Sequence, residues 1–497
     1  MAQSAILRLM FEILTPAEMK KADAATIAAG ASGIQLMTQA GAAVASAVKE
    51  RVEPCPVLVL CGPGNNGGDG FIVAARLKAD GWNVRVACPL KKAALKGDAA
   101  LAAKEWTGEI ESLNSNLALK DAALIVDAVY GASFAGALDP ELVTLFDKIR
   151  TKKLLVVAID VPSGMDAASG TIAAGALKAN FTVTFCRKKI AHMLMPSKAY
   201  CGKLVVSLIG ITDQTVAELK STLFENDSAL WLKNFPLPSP ESHKYSRGHA
   251  VIFGGAQRTG AACLAAYAAQ RAGAGLVSIT SQPKTVATYA QYRASVMIDE
   301  WATLDDLKTV LRDERRNAVC IGPGAGMTDD MKETIQAVLS FDKCAVIDAD
   351  VFSAFKETPK ELFAKLSPNK HVLTPHEGEF ARVFEGIEGN KLERTRKAAK
   401  LANAVIVLKG ADTVIAAPDG TAIINANAPA TLATAGSGDV LAGLITGLMA
   451  QGMSPFMAAA AGVWLQGETA QIFGLGLTAE DIIHHLPQSL NRLFAAR

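Results

Sequence analysis

The sequence lacks long hydrophobic runs, long runs of basic charge and closely spaced cysteine pairs. Its apolar stretches are strand-sized or broken by glycine and charge, so no membrane span is predicted. The start, MAQSAILRLMFEIL, has an apolar run too short for a signal peptide. With 50 basic and 48 acidic residues and no basic cluster, nucleic acid is not expected as a partner. None of the 8 cysteines forms a C-x-x-C pair, so we expect free thiols in a reducing compartment, no zinc, and a cytoplasmic location.

Aromatic residues are also scarce, at 6% of the chain, whereas glycine occurs 41 times and hydrophobic residues make up 50%. This composition is typical of α/β proteins, in which many tight turns connect strands to helices. At 497 residues the chain is long enough for two or three domains with their own cores. We therefore expect an α/β protein with more than one domain.

A glycine-rich segment interrupts the first strand–helix unit. The run from Val57 to Cys61 predicts a buried strand, a helix is predicted from Phe71 to Ala79, and the loop between them reads GPGNNGGDG. Gly62, Gly64 and Gly67 satisfy the G-x-G-x-x-G dinucleotide fingerprint, but no acidic residue closes the next strand to bind a ribose. The pattern predicts a loop that cradles phosphates without forming an ordinary NAD site.

Two further strands of this half end in carboxylates. The runs LIVD and VVAID end at Asp127 and Asp160, and Ser163 follows the second. In a parallel sheet these residues would meet Asn66, because ligands bind beyond the carboxyl ends of the strands. Amide, carboxylate and hydroxyl oxygens together suit a hard cation. The alternative is ordinary turn chemistry, in which Asp and Ser are common.

Several motifs of residues 14–208 resemble the NAD(P)H-hydrate epimerase domain, chiefly NNGGDG, VDAVYG, AIDVPSG and TVTFCRKK around Lys188. The resemblance implies a Rossmann-like doubly wound sheet, and a potassium ion bound by Asn66, Asp127 and Ser163. It also implies that Asp160 faces the substrate as a candidate catalytic acid or base. The substrate-binding residues that it implies are Asn65, Asn66, Gly67, Gly68, Asp69, Gly131, Ala132, Ser133, Ala137 and Asp160. The family usually has G-T-G where Gly131-Ala132-Ser133 stands, and the added side chain is expected to crowd the ligand.

A proline-rich segment, FPLPSP from Phe235 to Pro240, separates the two halves. Such a segment does not lie in the interior of a sheet, and the alternation of strands and helices stops shortly before it. We therefore expect a first domain over residues 1–219, a linker or extended arm over 220–240, and a second domain over 241–497.

In the second half, five predicted strands end in glycine or polar residues before an apolar helix begins. These ends are Gly254-Gly255, Gly322 to Gly326, Asp348-Ala349-Asp350, Pro375-His376-Glu377 and Lys409 to Thr413. Because ligands bind at the carboxyl ends of parallel strands, the pattern predicts one large cleft along one edge of a second sheet.

The apolar helix, Val440 to Met449, follows Ala435 to Asp439. Glycines at a helix start let the backbone approach a ligand, and the unpaired first N–H groups favour an anion. An acidic residue beside such a site is explained if Asp439 takes a proton from a hydroxyl while the amides hold the transferred phosphate. The alternative is that Asp439 is a helix N-cap, where Asp is also favoured. This stretch alone leaves both open.

The second half resembles the ribokinase-like superfamily and, within it, the ADP-dependent NAD(P)H-hydrate dehydratases, through IGPGAG, LTPHEGEF, VLKGADTVI and GSGDVLAGL. The resemblance implies that Asp439 is the catalytic base and that Ala261, Gly324, His376 and Asp439 bind the hydrate. The nucleotide-binding residues that it implies are Lys409, Gly410, Ala411, Asp412, Thr413 and Gly438, with ADP as co-substrate and Mg²⁺ on its phosphates. His376 has the simpler alternative of capping a turn, and Gln466 stands where the family often has His.

Together the two resemblances imply a bifunctional repair enzyme for damaged nicotinamide nucleotides. An epimerase would interconvert the R and S hydrates of NADH and NADPH (NADHX and NADPHX). A dehydratase would return the S form to NAD(P)H and release AMP and phosphate. A homo-oligomer is expected. Two alternatives stay open: a second domain that is a small-molecule kinase keeping its phosphorylated product, and a first domain that is a non-catalytic binding or assembly module.

Overall fold

The computed structural model describes residues 11–327 and 330–495, which form two compact units that divide between Ser221 and Thr222. Residues 1–10, which carry most of the apolar run at the start of the sequence, lie outside the described residues. Within the described ranges, no helix is both long enough and apolar enough to cross a membrane.

The first unit alternates strands and helices along the chain. Its strands are β1 (Val57–Cys61), β2 (Val84–Cys88), β3 (Ile110–Ser112), β4 (Leu124–Ala128), β5 (Leu155–Ile159), β6 (Phe181–Phe185) and β7 (Lys203–Ser207). Its helices are α1 (Pro16–Ala28), α2 (Gly33–Arg51), α3 (Asn65–Ala79), α4 (Gly97–Glu105), α5 (Pro140–Thr151), α6 (Ile190–Met193) and α7 (Asp213–Glu218).

The strands of the first unit form one parallel sheet in the order β3-β2-β1-β4-β5-β6-β7. Alternate residues of β1 enter two different cores: Val59 packs with residues of α2 and α3, whereas Leu60 packs with residues of α5. The sheet therefore has helices on both faces, and its strand order reverses between β1 and β4. The predicted doubly wound Rossmann-like fold is confirmed.

Helix α3 begins at Asn65, six residues before the start predicted at Phe71. The segment NNGGDG is therefore the first turns of a helix rather than a loop. Glycine normally disfavours a helix interior, but close packing overrides that preference here. A Cβ at Gly70 would lie 2.6 Å from Cβ of Ala128 on β4, so only glycine lets the helix lie this close to the sheet.

The second unit contains a larger sheet. Its strands are β8 (Leu223–Glu225), β9 (His249–Gly254), β10 (Leu276–Ser281), β11 (Met297–Glu300), β12 (Arg316–Ile321), β13 (Cys344–Ile347), β14 (His371–Leu373), β15 (Val405–Leu408), β16 (Val414–Ala416) and β17 (Ala422–Ile424). Its helices are α8 (Ser228–Trp231), α9 (Thr259–Arg271), α10 (Pro283–Ala290), α11 (Leu304–Arg312), α12 (Met331–Leu339), α13 (Asp350–Ala354), α14 (Pro359–Phe363), α15 (Glu377–Val383), α16 (Lys391–Ala402), α17 (Ser437–Ala450), α18 (Pro455–Phe473) and α19 (Ala479–Ala495).

The order of the second sheet is β11-β10-β9-β12-β13-β14-β15-β16-β17-β8. The strands from β11 to β15 are parallel, and β16 is antiparallel to both of its neighbours. The five strand ends singled out in the sequence, which follow β9, β12, β13, β14 and β15, therefore lie along one edge of the parallel part. Here too the strand order reverses, between β9 and β12.

Helix α17 packs against α9 with almost no space between their backbones. A Cβ at Gly443 or Gly447 would overlap or closely crowd the backbone of Ala265 or Ala269, respectively. Because these glycines are four residues apart, they lie on one face of α17. The contact fixes the direction in which α17 points, and so places its first turn at the carboxyl edge of the sheet.

The predicted linker over residues 220–240 is wrong for its first part. Strand β8 pairs in parallel with β17, and Asn226 donates hydrogen bonds from Nδ2 to Asn425 Oδ1 (3.0 Å) and to the carbonyl of Ala460 (2.8 Å). Trp231 of α8 is fully buried. A strand of three residues is too short to show a hydrophobic period, so its place in the second sheet could not be predicted from the sequence.

Candidate functional site

The glycine segment of the first unit is packed too closely for side chains. A Cβ at Gly62 would overlap the carbonyl oxygen of Val129, and a Cβ at Gly67 would overlap the carbonyl oxygen of Gly62. Gly62 also donates its N–H to the carbonyl of Ala128 (2.9 Å). The start of α3 is thus held against the end of β4, where the strand order reverses. No side chain caps α3, so its first N–H groups can bind an anion.

Asp127 and Ser163 form a buried hydrogen-bonded pair beside this helix start. Asp127 Oδ1 accepts from Ser163 Oγ (2.6 Å), and Oδ2 accepts from the Ser163 N–H (2.7 Å). Ser163 Oγ in turn accepts from the N–H of Tyr130 (2.9 Å). Asp127 is fully buried, and burial raises its pKa to about 6. No Lys or Arg of the described residues forms an ion pair with it.

Asn66 lies next to this pair through the loop that follows β4. A Cβ at Gly131 would lie 3.0 Å from Asn66 Oδ1, and Gly131 follows Tyr130. The Asn66 side-chain nitrogen is buried and has no hydrogen-bond partner within the described residues. The three predicted potassium ligands are therefore near one another, around a buried carboxylate that lacks a counter-ion. The amide, carboxylate and hydroxyl oxygens of these residues, rather than the unpaired amide nitrogen, are the ligands that fit a hard cation.

Asp160 is held by a buried lysine that the sequence did not single out. Lys189 Nζ donates to Asp160 Oδ1 (2.7 Å), and Thr184 Oγ1 donates to the same oxygen (2.8 Å). Burial would raise the pKa of Asp160, but the charge and hydrogen bond of Lys189 outweigh it and bring the pKa below its ordinary value. Asp160 is therefore ionised at neutral pH.

Asp69 interacts electrostatically with Asp160. Burial, together with the negative charges of Asp160 and of Asp23 on α1, raises the pKa of Asp69 well above its ordinary value. Burial also raises the pKa of Asp23. The site thus contains carboxyl groups whose pKa values are moved in opposite directions, which is a pattern typical of acid–base sites.

Of the remaining residues predicted for this site, some are exposed and others pack against neighbouring elements. Asn65, Ser133 and Ala137 are exposed at the surface of the unit. Gly68 is buried, and a Cβ there would lie 2.5 Å from Sδ of Met37, so its close contact is with α2. Ala132 packs against the cluster that contains Val161 and Cys201. The residue at the second glycine of the usual G-T-G is Ser133, and its side chain is exposed.

In the second unit, α17 begins with open N–H groups. Gly436 is its N-cap, with a φ of 85°, and no side chain caps the helix. Gln466, which lies on α18, donates from Nε2 to the carbonyl of Ser437 (2.6 Å) and so fixes the first turn of α17. Asp439 is the third residue of the helix, so the alternative that it is the N-cap is wrong. The open helix end favours an anion.

Several charged groups surround Asp439. Burial raises the pKa of Asp439 to about 6, as do the negative charges of Asp348, Asp350 and Glu379, whereas the positive charge of Lys409 opposes the rise. No described residue donates a hydrogen bond to its carboxylate. An unpaired carboxylate with a pKa near 6 is ionised at neutral pH but still takes up a proton readily, as a general base must.

The ammonium group of Lys409 lies among these carboxylates. Its Nζ donates to Asp348 Oδ1 (2.8 Å), lies 3.7 Å from Glu379 Oε2, and would be 3.4 Å from a Cβ at Gly438. Burial would lower the pKa of Lys409, but the neighbouring carboxylates, with Asp348 first, raise it above its ordinary value. A cation is thus held beside the first turn of α17, where a phosphate would meet the open N–H groups.

Gly324 and Ala261 meet on the other side of the cleft. Gly324 has a φ of 61°, and a Cβ there would overlap the carbonyl oxygen of Arg258 and lie 3.1 Å from Cβ of Ala261. A Cβ at Gly255 would overlap the carbonyl oxygen of Gly324. The glycine turns after β9 and β12 therefore pack directly on each other and on the start of α9.

His376 acts as a cap and still presents a free ring nitrogen. Its Nδ1 accepts from the N–H groups of Gly378 (3.0 Å) and Glu379 (3.2 Å), and its own N–H donates to Glu379 Oε2 (2.8 Å). The capping alternative is therefore realised. Because Nδ1 accepts, the proton of a neutral ring is on Nε2, which lies 3.4 Å from Glu379 Oε1 on an exposed side chain.

The turn from Gly410 to Thr413 presents its backbone rather than its side chains. Gly410 and Ala411 are exposed, whereas Asp412 and Thr413 are buried. Asp412 Oδ1 accepts from Lys391 Nζ (2.7 Å), and Thr413 Oγ1 donates to the carbonyl of Gly410 (2.8 Å). The two buried residues therefore shape the turn, and Lys391 is a part of it that the sequence did not indicate.

Each unit thus has a glycine-lined helix start at the reversal of strand order or beside it, with charged groups that can move a proton. This arrangement defines an α/β enzyme with two sites for phosphate-bearing ligands. The family model described as NAD(P)H-hydrate dehydratase matches residues 249–491, and the model described as YjeF-related protein N-terminus matches residues 33–191.

The chain also matches full-length relatives in both halves. It is 33% identical over 492 residues to the bifunctional NAD(P)H-hydrate repair enzyme Nnr of Coxiella burnetii, covering 95% of this chain and 98% of the relative. It is 35% identical over 450 residues to the Escherichia coli enzyme of the same name, covering 87% and 85%. A solved structure, ADP/ATP-dependent NAD(P)H-hydrate dehydratase from Bacillus subtilis co-crystallised with ATP/Mg²⁺, is 30% identical and covers 52% of this chain and 94% of its own, with a TM-score of 0.45.

The chain belongs to the family of bifunctional NAD(P)H-hydrate repair enzymes. The predicted family is confirmed, and so is the predicted combination of an epimerase domain with a dehydratase domain.

Proposed function

We propose that this chain repairs hydrated NAD(P)H at two separate sites. The first unit interconverts the R and S hydrates, and the second unit dehydrates the S form at the expense of a nucleotide. The observation that carries the second assignment is Asp439, an unpaired carboxylate with a pKa of about 6 at the open start of α17. The family membership of both halves supports the pairing of the two activities.

Dehydration would proceed through a phosphorylated intermediate. Asp439 takes the proton of the ring hydroxyl while the oxygen attacks the terminal phosphorus of the nucleotide. The bond from that phosphorus to the bridging oxygen breaks, and the rest of the nucleotide, AMP in the case of ADP, leaves. Phosphate then departs with the carbon–oxygen electron pair, and loss of a proton from the adjacent carbon restores the double bond. With ADP the products are NAD(P)H, AMP and phosphate. Phosphate is a far better leaving group than hydroxide, which explains the use of a nucleotide.

The nucleotide phosphates would lie between the first turn of α17 and Lys409. The N–H groups near Gly438 and the Lys409 cation supply positive charge where negative charge develops during transfer. The exposed backbone of Gly410 and Ala411 would contact the nucleoside, over the turn that Asp412 and Thr413 shape. ADP as the preferred nucleotide is a proposal that rests on the resemblance.

A magnesium ion fits this site as a partner of the nucleotide. Among the described residues, no three His, Cys, Asp or Glu side chains are grouped as a metal site, so phosphate oxygens and water would supply most of the ligands. Asp350 and Glu379 could contribute carboxylate oxygens. The ion would neutralise charge on the phosphates as the phosphoryl group is transferred.

The hydrate would bind against the paired glycine turns. Gly324 and Ala261 leave room for the ring because neither carries a large side chain, and Asp439 is the base that the ring hydroxyl must reach. The Nε2–H of His376 is free to donate to the substrate even while Nδ1 caps α15. Capping and substrate contact by His376 are therefore compatible.

In the first unit, Asn65 to Asp69 would contact the phosphates of the hydrate, and the loop from Gly131 to Ala137 would cover it. Asp160 is a candidate acid or base close to the ring. A potassium ion held by Asn66, Asp127 and Ser163 would compensate the buried Asp127 charge and fix the loop after β4. The cytoplasmic location and the homo-oligomer stay predictions, which fractionation and light scattering would test.

The products of the second site test the proposal. Purified protein is incubated with the S hydrate, Mg²⁺ and ADP, and NAD(P)H, AMP and inorganic phosphate are measured together. We expect equal amounts of the three. Accumulation of a phosphorylated hydrate without inorganic phosphate would show a kinase that keeps its product, and the proposal would be wrong.

A further inference from the structure

The segment from Lys189 to His192 holds Asp160 by both its side chain and its backbone. Lys189 is only 1% exposed, and its Nζ donates to Asp160 Oδ1 (2.7 Å), Thr184 Oγ1 (2.8 Å) and the carbonyl of Phe185 (3.1 Å). All three donor positions of the ammonium group are therefore used. The lysine has no donor position left for a substrate, so its influence must pass through Asp160.

His192 fixes the backbone of Asp160 at the same time. Its Nδ1 accepts from the N–H of Lys189 (2.9 Å), which places the ring proton on Nε2, and Nε2 donates to the carbonyl of Asp160 (2.8 Å). Burial lowers the pKa of His192 to about 4, so the ring is neutral and this tautomer is kept. Asp160 has a φ of 63°, a strained backbone conformation that needs such support.

The charges around Asp160 come from several elements. Lys189 is the cation in direct contact, and His192 is neutral. Asp69 on α3 and Asp23 on α1 are acids that interact with Asp160, and the Cys201 thiol does so more weakly. Burial raises the pKa of each of these three groups. Without Lys189, Asp160 would be a buried acid among other acids, and its carboxylate would take up a proton.

We propose that Lys189 is a positioning residue of the epimerase, which keeps Asp160 as a carboxylate. This inference rests on the proposed epimerase function of the first unit. It adds to the predicted site a buried cation that the resemblance to the epimerase domain did not single out.

Epimerisation requires a negative charge beside the ring. One bond at the hydroxyl-bearing carbon must break and form again on the opposite face. The hydroxyl oxygen takes up a proton from solvent, the carbon–oxygen bond breaks, and water leaves with its electron pair. The Asp160 carboxylate stabilises the ring cation that remains. Water adds to the other face and returns one proton to solvent, so no atom or charge is gained or lost.

The test compares Lys189→Met with Lys188→Met, a matched loss of the neighbouring lysine. Epimerase rates are measured from pH 5 to 9, and the Asp160 carboxyl is followed by ¹³C NMR in protein labelled at aspartate, assigned with Asp160→Asn. The nucleotide-dependent dehydratase of the same chain reports folding. For Lys189→Met we expect the Asp160 titration to rise by about 1–3 pH units, because a contacting opposite charge has that effect. The acid limb of the epimerase profile should rise with it.

Each outcome of this test either supports the inference about Lys189 or shows that it is wrong. In Lys188→Met the Asp160 titration should stay at the wild-type position, because Lys188 donates no hydrogen bond to Asp160, whose side chain accepts from Lys189 and Thr184. Thr184→Val, which removes one donor to Asp160, should give a smaller upward movement. If the Asp160 titration and the acid limb stay at the wild-type position in Lys189→Met, the inference is wrong, whatever the maximal rate. If Lys189→Met has no epimerase activity at any pH, the acid limb of the pH profile is measured in Thr184→Val instead. An acid limb at the wild-type position in Thr184→Val would then show that the inference is wrong. If the wild-type protein has no epimerase activity, the proposed function is wrong. A rise of the Asp160 titration in Lys189→Met would then still show that Lys189 keeps Asp160 as a carboxylate.

Discussion

Replacing Asp439 with Asn should abolish dehydration and at the same time stabilise the second unit. Asn keeps the size and polarity of the side chain but can neither take a proton nor carry a charge. A positioned general base contributes about 10²–10⁴-fold to a rate, so we expect the dehydration rate to fall by at least about 100-fold. Nucleotide binding should persist, because Lys409 and the first turn of α17 are unchanged.

The stability effect follows from the pKa. In the folded protein Asp439 has a pKa of about 6 against an ordinary value of 3.8, so folding favours its protonated form. The stabilising contribution of that form is complete below about pH 4 and is lost as the pH rises through 6. The difference between the two pKa values corresponds to about 3 kcal/mol at neutral pH, and partial access of solvent reduces it to about 1–3 kcal/mol. Asp439→Asn should therefore be more stable than wild type at pH 8 and nearly equal at pH 4.

The assay combines dehydration rates with urea unfolding followed by tryptophan fluorescence at pH 4 and pH 8. Asp419→Asn is the matched control, because Asp419 is exposed in the turn between β16 and β17 and Asn preserves its acceptor oxygen for Thr421. This control should change neither quantity. A variant at position 439 that keeps near-normal turnover would show that Asp439 is not the base. Lower stability at pH 8 than wild type would refute the electrostatic argument.

Three further variants probe the other groups. Ser163→Ala removes a donor to Asp127 and a proposed potassium ligand, so the KCl concentration that gives half-maximal epimerase activity should rise by about 10-fold, with the dehydratase unchanged; an unaltered KCl dependence would contradict the assigned ligand. Lys409→Met removes the cation beside α17 and leaves Asp348 buried and unpaired, so calorimetry should show about 10-fold weaker nucleotide binding or more, and unfolding should cost about 3 kcal/mol less. Gln466→Leu frees the Ser437 carbonyl, so kcat of dehydration should fall by about 10-fold with little change in nucleotide affinity, since one hydrogen bond to the first turn is lost; equal kcat values would show that this bond does not position Asp439.

The sequence indicated which polar residues meet at the sheet edges better than it indicated the elements around them. The cluster of Asn66, Asp127 and Ser163 was expected because carboxyl ends of parallel strands meet at one edge, and the structure places the three side chains close together. In contrast, the helix start at Asn65 was missed, because low helix propensity hides a glycine-rich turn that is stabilised by contact with β4.

Lys189 shows why partners are harder to predict than motifs. The letters RKK present three cations in a row, and the sequence cannot tell which of them is buried. In the structure, Lys189 is buried and donates a hydrogen bond to Asp160. Arg187 forms ion pairs with Glu12 and Asp213. Lys188 is only partly buried. The ion pair of Lys391 with Asp412 was hidden for the same reason, since it depends on the folded positions of the two partners.

If one chain repairs both hydrates of NAD(P)H, the absorbance of the reduced nicotinamide ring will report both activities in a single experiment. Purified protein is added to a mixture of R and S NADPH hydrates with Mg²⁺, K⁺ and either ADP or ATP. We expect nucleotide-dependent recovery of the absorbance of the whole mixture, faster than the hydrates interconvert unaided. Recovery that stops at the S fraction would contradict the epimerase assignment, and no recovery with either nucleotide would contradict the repair function itself.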